Sequence, residues 1–268
     1  VTNETERLWV DSMPGAYEQW LVPTVFWPFA ADLARRAAAR APERVLELAA
    51  GTGAVTGELV AALPSASVTA TDLNPAMVEL GRSRVPAAQW QQADAMDLPF
   101  DDAAFDLVVC QFGVMFFPDK PAAFAQARRV LTPDGTLLVN TWGTVDTHDF
   151  AAALTAGLEH AFPDDPPTFI AAVPHGYADL DVVVADIRAG GLDCVGVETV
   201  TLDGHAPSAA DVAAGFCTGT PIRAQIEARG ADLASVTAAV AKEMEARLGT
   251  GPVTGRMTAH VIEATPAP

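Results

Sequence analysis

Lysine is nearly absent: Lys120 and Lys242 are the only two in 268 residues. Lys and Arg together number 16 against 34 Asp and Glu, a formal net charge of −18. A surface so short of cations repels phosphate backbones and anionic headgroups, so neither nucleic acid nor a membrane surface is an expected partner. Cysteine is scarce as well. Cys110, Cys194 and Cys217 are odd in number and widely spaced, which fits neither a disulfide framework nor a paired metal motif. No His, Cys, Asp or Glu cluster has metal-ligand spacing, and no metal is expected. Long hydrophobic runs are missing too. The longest mainly apolar stretches, 21–31 and 107–118, are broken by Pro23 and Pro28 and by Gln111. Both fall short of the roughly 20 residues that span a bilayer. Residues 1–20 carry four acids and no continuous apolar stretch, so no secretory leader is expected and a soluble cytoplasmic protein is the default. There is no G-x-S-x-G and no P-loop.

What remains is a chain half hydrophobic and only 19% charged, the reverse of a disordered composition and long enough for a sizeable core. Two helices are expected over 4–20 and 25–41, interrupted by a Pro-containing turn at 22–24. Short apolar runs at 44–49, 67–71, 88–92, 105–110 and 135–142 read as strands. They alternate with helical patterns at 55–63, 75–84 and 121–131, and Pro133-Asp134-Gly135 reads as a turn. Strands alternating with helices imply an α/β fold, a parallel sheet with helices on both faces. After Trp142 the rhythm changes. Helices are expected at 148–161, 180–189, 208–217, 221–229 and 233–248, strands at 192–202 and 257–264, and an irregular stretch at 162–177.

The densest signal is Val45-Leu-Glu-Leu-Ala-Ala-Gly-Thr-Gly53, a strand running into a small-residue loop and then a helix. Ligands of open parallel sheets bind beyond the carboxyl ends of strands, and Ala49, Gly51 and Gly53 let backbone come close to one. Gly57 arrives one place too late for a dinucleotide fingerprint. Glu47 just before the loop is awkward beside a pyrophosphate but suits an ammonium group. The next strand ends in Asp72, 19 residues after Gly53, where a carboxylate can accept both ribose hydroxyls. Asp94 can accept from an adenine amino group while Ala95 and Met96 pack on the ring. The strand at 105–110 continues into Gln111 and the apolar 112–117.

In this order, the motifs at 47–53, 70–74, 92–98, 105–118 and 130–142 resemble the class I S-adenosylmethionine-dependent methyltransferases, closest to the ubiquinone/menaquinone-biosynthesis-like (type 11) branch. Ala49 stands where many members have glycine. The resemblance implies a Rossmann-like seven-stranded sheet in the order 3-2-1-4-5-7-6, the last strand antiparallel, with a helical cover. Within a single domain, 1–268, it divides the chain into N-terminal cover helices (1–41), cofactor core (42–142), cover and sixth strand (143–202), a long helical insertion (203–255) and the last strand (256–264). It implies S-adenosylmethionine as cofactor and S-adenosylhomocysteine as product. Glu47 would lie near the methionine amino group, Ala49, Gly51 and Gly53 along the methionine and ribose, and Asp72 on the ribose with Leu73 and Met77 nearby. Asp94, Ala95 and Met96 would meet adenine, Cys110 and Gln111 the methionyl portion, and Phe112 the reacting side. Tyr17 would approach the cofactor carboxylate.

The implied reaction is direct displacement of the methyl by a small acceptor held in line, with a general base optional. Aromatic and apolar residues outside the loop motifs, Trp20, Trp27, Met115, Trp142, Phe150, Phe169 and Tyr177, are candidates to line a flat or apolar acceptor site. His148 and His175 are the candidate bases. The expected partner is a small-molecule methyl acceptor, and the protein a monomer or homodimer. Two alternatives stay open from sequence: a nicotinamide-dependent oxidoreductase, and a non-catalytic S-adenosylmethionine-binding protein.

Overall fold

In the computed structural model, which describes residues 13–268, seven strands form one sheet in the order β3-β2-β1-β4-β5-β7-β6. They are β1 (Arg44–Glu47), β2 (Ser67–Asp72), β3 (Gln89–Gln92), β4 (Phe105–Gln111), β5 (Leu131–Trp142), β6 (Leu192–Ala206) and β7 (Val253–Pro266). The first five pair in parallel, and β7 runs antiparallel to β5 and to β6. The order is the one the resemblance implied, and the 46 residues between Ala206 and Val253 leave the last strand in its expected place.

Two compact units emerge. One gathers Phe29–Trp142, Tyr177–Val200 and Ala259–Pro268. In it, alternate residues Val45, Val68, Ala70, Leu107, Val109 and Leu138 bury one sheet face under the helices Trp27–Ala38 and Ala54–Ala62, through Leu33, Ala37, Val55 and Leu59. Both faces of the central strands are buried, which explains why β4 reads as an unbroken apolar run apart from Asp106. Helix starts follow cap chemistry. Asn74 caps Pro75–Arg84 and Asp119 caps Lys120–Val130, each with a side-chain oxygen on a backbone N–H and a proline in the first turn.

The other unit gathers 13–28, Gly143–Gly176 and Thr201–Thr258. It is mainly helical, built on Asp149–Ala161, Ala209–Gly219 and Leu233–Leu248. Glycines set how closely these approach: a side chain at Gly157 would meet Val240 at 3.1 Å, and one at Gly215 would meet Trp20 at 2.8 Å.

Two expectations need correcting. The turn at 22–24 is absent: the backbone stays helical from Met13 to Ala38 and passes Pro23 as a π-helix, Tyr17–Phe26. The wider turn moves the carbonyl partner from i−4 to i−5, which relieves the clash of the proline ring with the preceding turn. Of the helix expected over 4–20, residues 4–12 lie outside the described residues. Pro133-Asp134-Gly135 does not separate two elements either. It is a bulge within β5, where the register jumps from Phe105↔Leu131 to Leu107↔Thr136.

Candidate active site

At the carboxyl end of β1 three residues in left-handed conformation alternate: Ala49 (φ 51°), Gly51 (φ 56°) and Gly53 (φ 94°). The bend is pinned by Leu48 N–H on Val109 O (2.9 Å), Ala50 N–H on Thr71 O (2.9 Å) and Gly53 N–H on Ala50 O (3.0 Å). Gly53 opens the helix Ala54–Ala62, and a side chain there would press on Trp90 at 3.1 Å. Ala49 is the one member of this series with a Cβ. Room for it comes from Gly113, where a side chain would fall 2.5 Å from Ala49 Cβ and 2.7 Å from Cys110 Sγ.

Asp72, at the end of β2, ties the two strand ends together. Its Oδ2 accepts from Gly51 N–H (2.8 Å) and its Oδ1 from Asn74 N–H (2.9 Å). Each oxygen keeps a further lone pair. Burial raises its pKa, against the pull of these two N–H groups. Glu47 is buried, 2% exposed, and accepts from Thr56 Oγ1 at 2.6 Å. Burial first, and nearby Asp72 second, push its pKa up to about 8, opposed by the Thr56 hydroxyl. Glu47 is thus mainly protonated at neutral pH, and a cation beside it would draw the proton off.

Leu73 is half-buried and accepts on its carbonyl from Gln92 Nε2 (2.9 Å), while Met77 is buried in the next helix. After β3, Asp94 Oδ1 accepts from Met96 N–H (2.9 Å), a closed turn with Ala95 buried and Met96 half-buried. Cys110 is fully buried. Its thiol is pushed up to about 12 by burial, so it stays a neutral thiol. Gln111 and Asn140 face one another in register on β4 and β5, and Asn140 Nδ2 lies 3.4 Å from Gln111 Oε1. Phe112 has φ 52° and donates its N–H to Asn140 O (3.1 Å). Its ring lies 3.6 Å from that of Trp142 with 4° between planes, and Phe29 meets both edge-on at 5.3 and 5.1 Å. Met115 is buried in the turn Val114–Phe116.

The loop, acid and β4 residues named from sequence therefore come together at one edge of one unit. Tyr177 belongs to the same unit, but its hydroxyl donates to Asp186 (2.7 Å) and Lys120 sits over its ring at 4.8 Å. The remaining candidates lie in the helical unit. Tyr17 stacks on Phe26 at 4.9 Å, Trp20 is half-buried beside Gly215, and Trp27 is 54% exposed. Phe150 is fully buried against Gly204 and Gly255, and Phe169 donates its N–H to Gln225 (3.1 Å). His148 and His175 are both buried, their rings perpendicular at 5.3 Å. His148 Nδ1 accepts from Ala151 N–H (3.2 Å), so its proton is on Nε2. His175 Nδ1 lies 2.7 Å from Gly143 O and donates to it, which leaves the lone pair on Nε2. Burial lowers the pKa of both.

Two residues were not singled out from sequence. Thr56 holds Glu47 and could have been suspected from its place in the first turn after the loop. Asn140 carries the plainer signal, an amide inside the apolar run of β5. Among the described residues no group of three or more His, Cys, Asp or Glu is arranged to hold a metal ion, and no helix is long and apolar enough to cross a membrane.

Residues 45–135, which contain the loop after β1, Asp72, Asp94 and the β4 residues, match the family model described as a methyltransferase domain. That segment, about a third of the chain, is thus similar to a methyltransferase domain. The cofactor of that family is S-adenosylmethionine. The chain is similar to the demethylmenaquinone methyltransferase of Deinococcus radiodurans, 36% identical over 134 residues, 48% of this chain and 56% of that one. It is also similar to a ubiquinone/menaquinone biosynthesis C-methyltransferase of Dinoroseobacter shibae, 34% identical over 139 residues, 50% of this chain and 48% of that one. The chain thus spans about half the length of the curated relatives it matches. Among solved structures, the YcgJ protein of Bacillus subtilis superposes with a TM-score of 0.57 at 20% identity, over 90% of this chain and 99% of that one. The cyclase SpnF gives 0.56 at 17% identity, over 88% and 81%. At such identities these two bear on the fold alone.

The residues suit the cofactor. Left-handed glycine backbone at Gly51, a carboxylate at Asp72 with lone pairs to spare, and a buried acid at Glu47 that gains by meeting a cation match a ribose diol and an ammonium group.

Proposed function

We propose that the protein transfers a methyl group from S-adenosylmethionine to a small, apolar or aromatic acceptor by direct displacement, the chain working as one methyltransferase domain. The observation that carries this reading is the Glu47–loop–Asp72 constellation lying within the segment that matches the methyltransferase domain. When bound, the sulfonium supplies a methyl that is already electrophilic. The protein's part is binding, alignment and exclusion of water, and alignment alone is worth on the order of 7–11 kcal/mol.

In this reading Asp72 accepts from the ribose hydroxyls, with Leu73 and Met77 beside it, and Glu47 meets the methionine ammonium. Ala49, Gly51 and Gly53 provide the backbone surface. Asp94, Ala95 and Met96 receive adenine, and Cys110 contributes its backbone, since its thiol is buried. Gln111, Phe112, Met115 and Trp142 face the acceptor. A carbon nucleophile that is already an enolate or phenolate needs little base catalysis. A neutral hydroxyl would call on a general base as well. The names of the relatives make hydroxylated, quinone-like rings the first acceptors to try.

Calorimetry with S-adenosylhomocysteine tests the reading. The wild-type protein is expected to bind, and Asp72→Ala to bind at least about tenfold more weakly, as loss of a charge-assisted hydrogen bond implies. Absence of binding to the wild type would overturn it. Incubation with methyl donor and a panel of acceptors, read by mass spectrometry for one added methyl, then identifies the acceptor. Binding without transfer to any of them would leave a cofactor-binding protein.

A further inference from the structure

At the carboxyl end of β5 two buried side-chain oxygens have no partner, those of Asn140 and Thr141, and Asn140 is the one on the face that Trp142 shares. Asn140 is fully buried, and its Oδ1 has no hydrogen-bond partner. Leaving a buried carbonyl unpaired costs the full desolvation of that group, so such atoms are rare in settled interiors. Asn140 and Trp142 are two residues apart on β5 and so point to the same face of the sheet. Gln111 sits opposite Asn140 in register. The Phe112 ring lies flat on Trp142, at 3.6 Å and 4°.

Neither feature of Phe112 is a resting preference. Its φ of 52° places a bulky residue in the left-handed region, where Cβ crowds the backbone carbonyl. At a centroid distance of 3.6 Å the two rings lie almost directly over one another, and aromatic pairs favour an offset or edge-on contact. Strain, a poor stack and an unpaired acceptor on adjoining residues mark a place poised to take up a ligand.

We infer that Asn140 Oδ1 receives a hydrogen bond from the methyl acceptor, and that the Phe112 ring leaves its stack on Trp142 to admit the acceptor's flat face. This rests on the methyl-transfer reading above and adds a rule of selection to it. A ring bearing a hydroxyl or N–H near the site of methylation is taken in preference to the same ring without a donor. An acceptor lacking the donor leaves Asn140 as it is now, buried and unpaired, so discrimination comes from the protein's own unsatisfied group.

The test uses the full chain loaded with S-adenosylhomocysteine and two probes of nearly equal shape, 2-naphthol and 2-methylnaphthalene, titrated by ligand-observed nuclear magnetic resonance. The expected result is about tenfold tighter binding of the naphthol, in keeping with one buried acceptor gaining its partner. In Asn140→Leu the preference is expected to vanish while S-adenosylhomocysteine affinity is retained. A crystal structure of the naphthol complex is expected to show the Phe112 ring displaced from Trp142. Equal affinity for the two probes in the wild type, binding of neither, or an undiminished preference in Asn140→Leu would overturn the inference. Should that variant fail to fold, the two probes on the wild type still decide. Failure of S-adenosylhomocysteine itself to bind would instead strike at the methyl-transfer reading.

Discussion

Ala49 shows how a single methyl group can shape a binding loop. It occupies a left-handed conformation that glycine enters freely, and its Cβ is accommodated because Gly113 has none. Ala49→Gly is expected to keep the fold and to change stability by at most about 1 kcal/mol, since relief of backbone strain is offset by a more flexible unfolded chain. Gly113→Ala is expected to destabilise by about 2 kcal/mol or more, because its new Cβ overlaps both Ala49 and Cys110. Part of that cost should disappear when both changes are combined, a coupling of about 1 kcal/mol in a double-mutant cycle from urea unfolding. Strict additivity would mean that the two residues do not share the space.

Glu47 makes a second argument at the same scale. With a pKa near 8 it holds a proton at pH 7, and an ammonium group beside it favours the carboxylate. Binding of S-adenosylhomocysteine at pH 7 is therefore expected to release about one proton, and affinity to rise as pH approaches 8. Calorimetry in buffers of different ionisation enthalpy reads this directly. Glu47→Gln should abolish the release. Proton uptake by the wild type, or none exchanged, would place the ligand's amino group elsewhere.

At the scale of elements, the sequence was most legible where local chemistry and tertiary need agree. Asp72, Asn74 and Pro75 end a strand and start a helix by rules that act over four residues, and the helix Pro75–Arg84 stands where expected. It was least legible where a long-range demand overrides a local signal. Pro23 announces a break, yet the backbone passes it as a π-helix between Leu21 and Val25, both buried. Pro133-Asp134-Gly135 announces a turn, yet β4 holds on to β5 on either side of it. The helix Asp149–Ala161 carries a less usual signal, an N-cap made by the imidazole of His148. That ring and His175 are neutral in the folded protein, both with pKa lowered by burial. An unfolded histidine titrates near 6.5, so stability is fully present above that value and is lost as pH falls through it. The loss is up to about 1.4 kcal/mol per pH unit for each imidazole that stays neutral. Thermal melts from pH 7.5 to 5.5 are expected to show falling stability. His148→Asn, which keeps a capping acceptor without a titrating ring, should flatten the fall. An unchanged slope in that variant would assign the acid sensitivity to other groups.

Over the whole molecule, topology was more legible than the acceptor site. The strand order was implied by the resemblance, which itself rests on loop, acid and hydrophobic motifs that each lie within a few residues. The site depends on contacts such as Gln111 with Asn140, 29 positions apart, which no local pattern announces. Net charge is the other property that belongs to the molecule as a whole. If every Lys and Arg were paired with an acid, 34 − 16 = 18 acids would still lack a cation. The ion pairs that do form are mostly at the surface, as between Arg35 and Asp32 or Arg247 and Glu243, and such pairs are worth roughly 0–1 kcal/mol each. Salt weakens those pairs and the mutual repulsion of the surplus acids together. The repulsion is the larger sum here, because it acts among many like charges separated by distances that salt screens well. Raising sodium chloride from about 10 to about 200 mM shortens the screening length from about 30 Å to under 10 Å, and should raise Tm by a few degrees. Scanning fluorimetry at pH 7.5, above the range where His148 and His175 come into play, isolates this effect from theirs. A flat or falling Tm would show that the acidic surface is spaced widely enough to carry its charge without loss of stability.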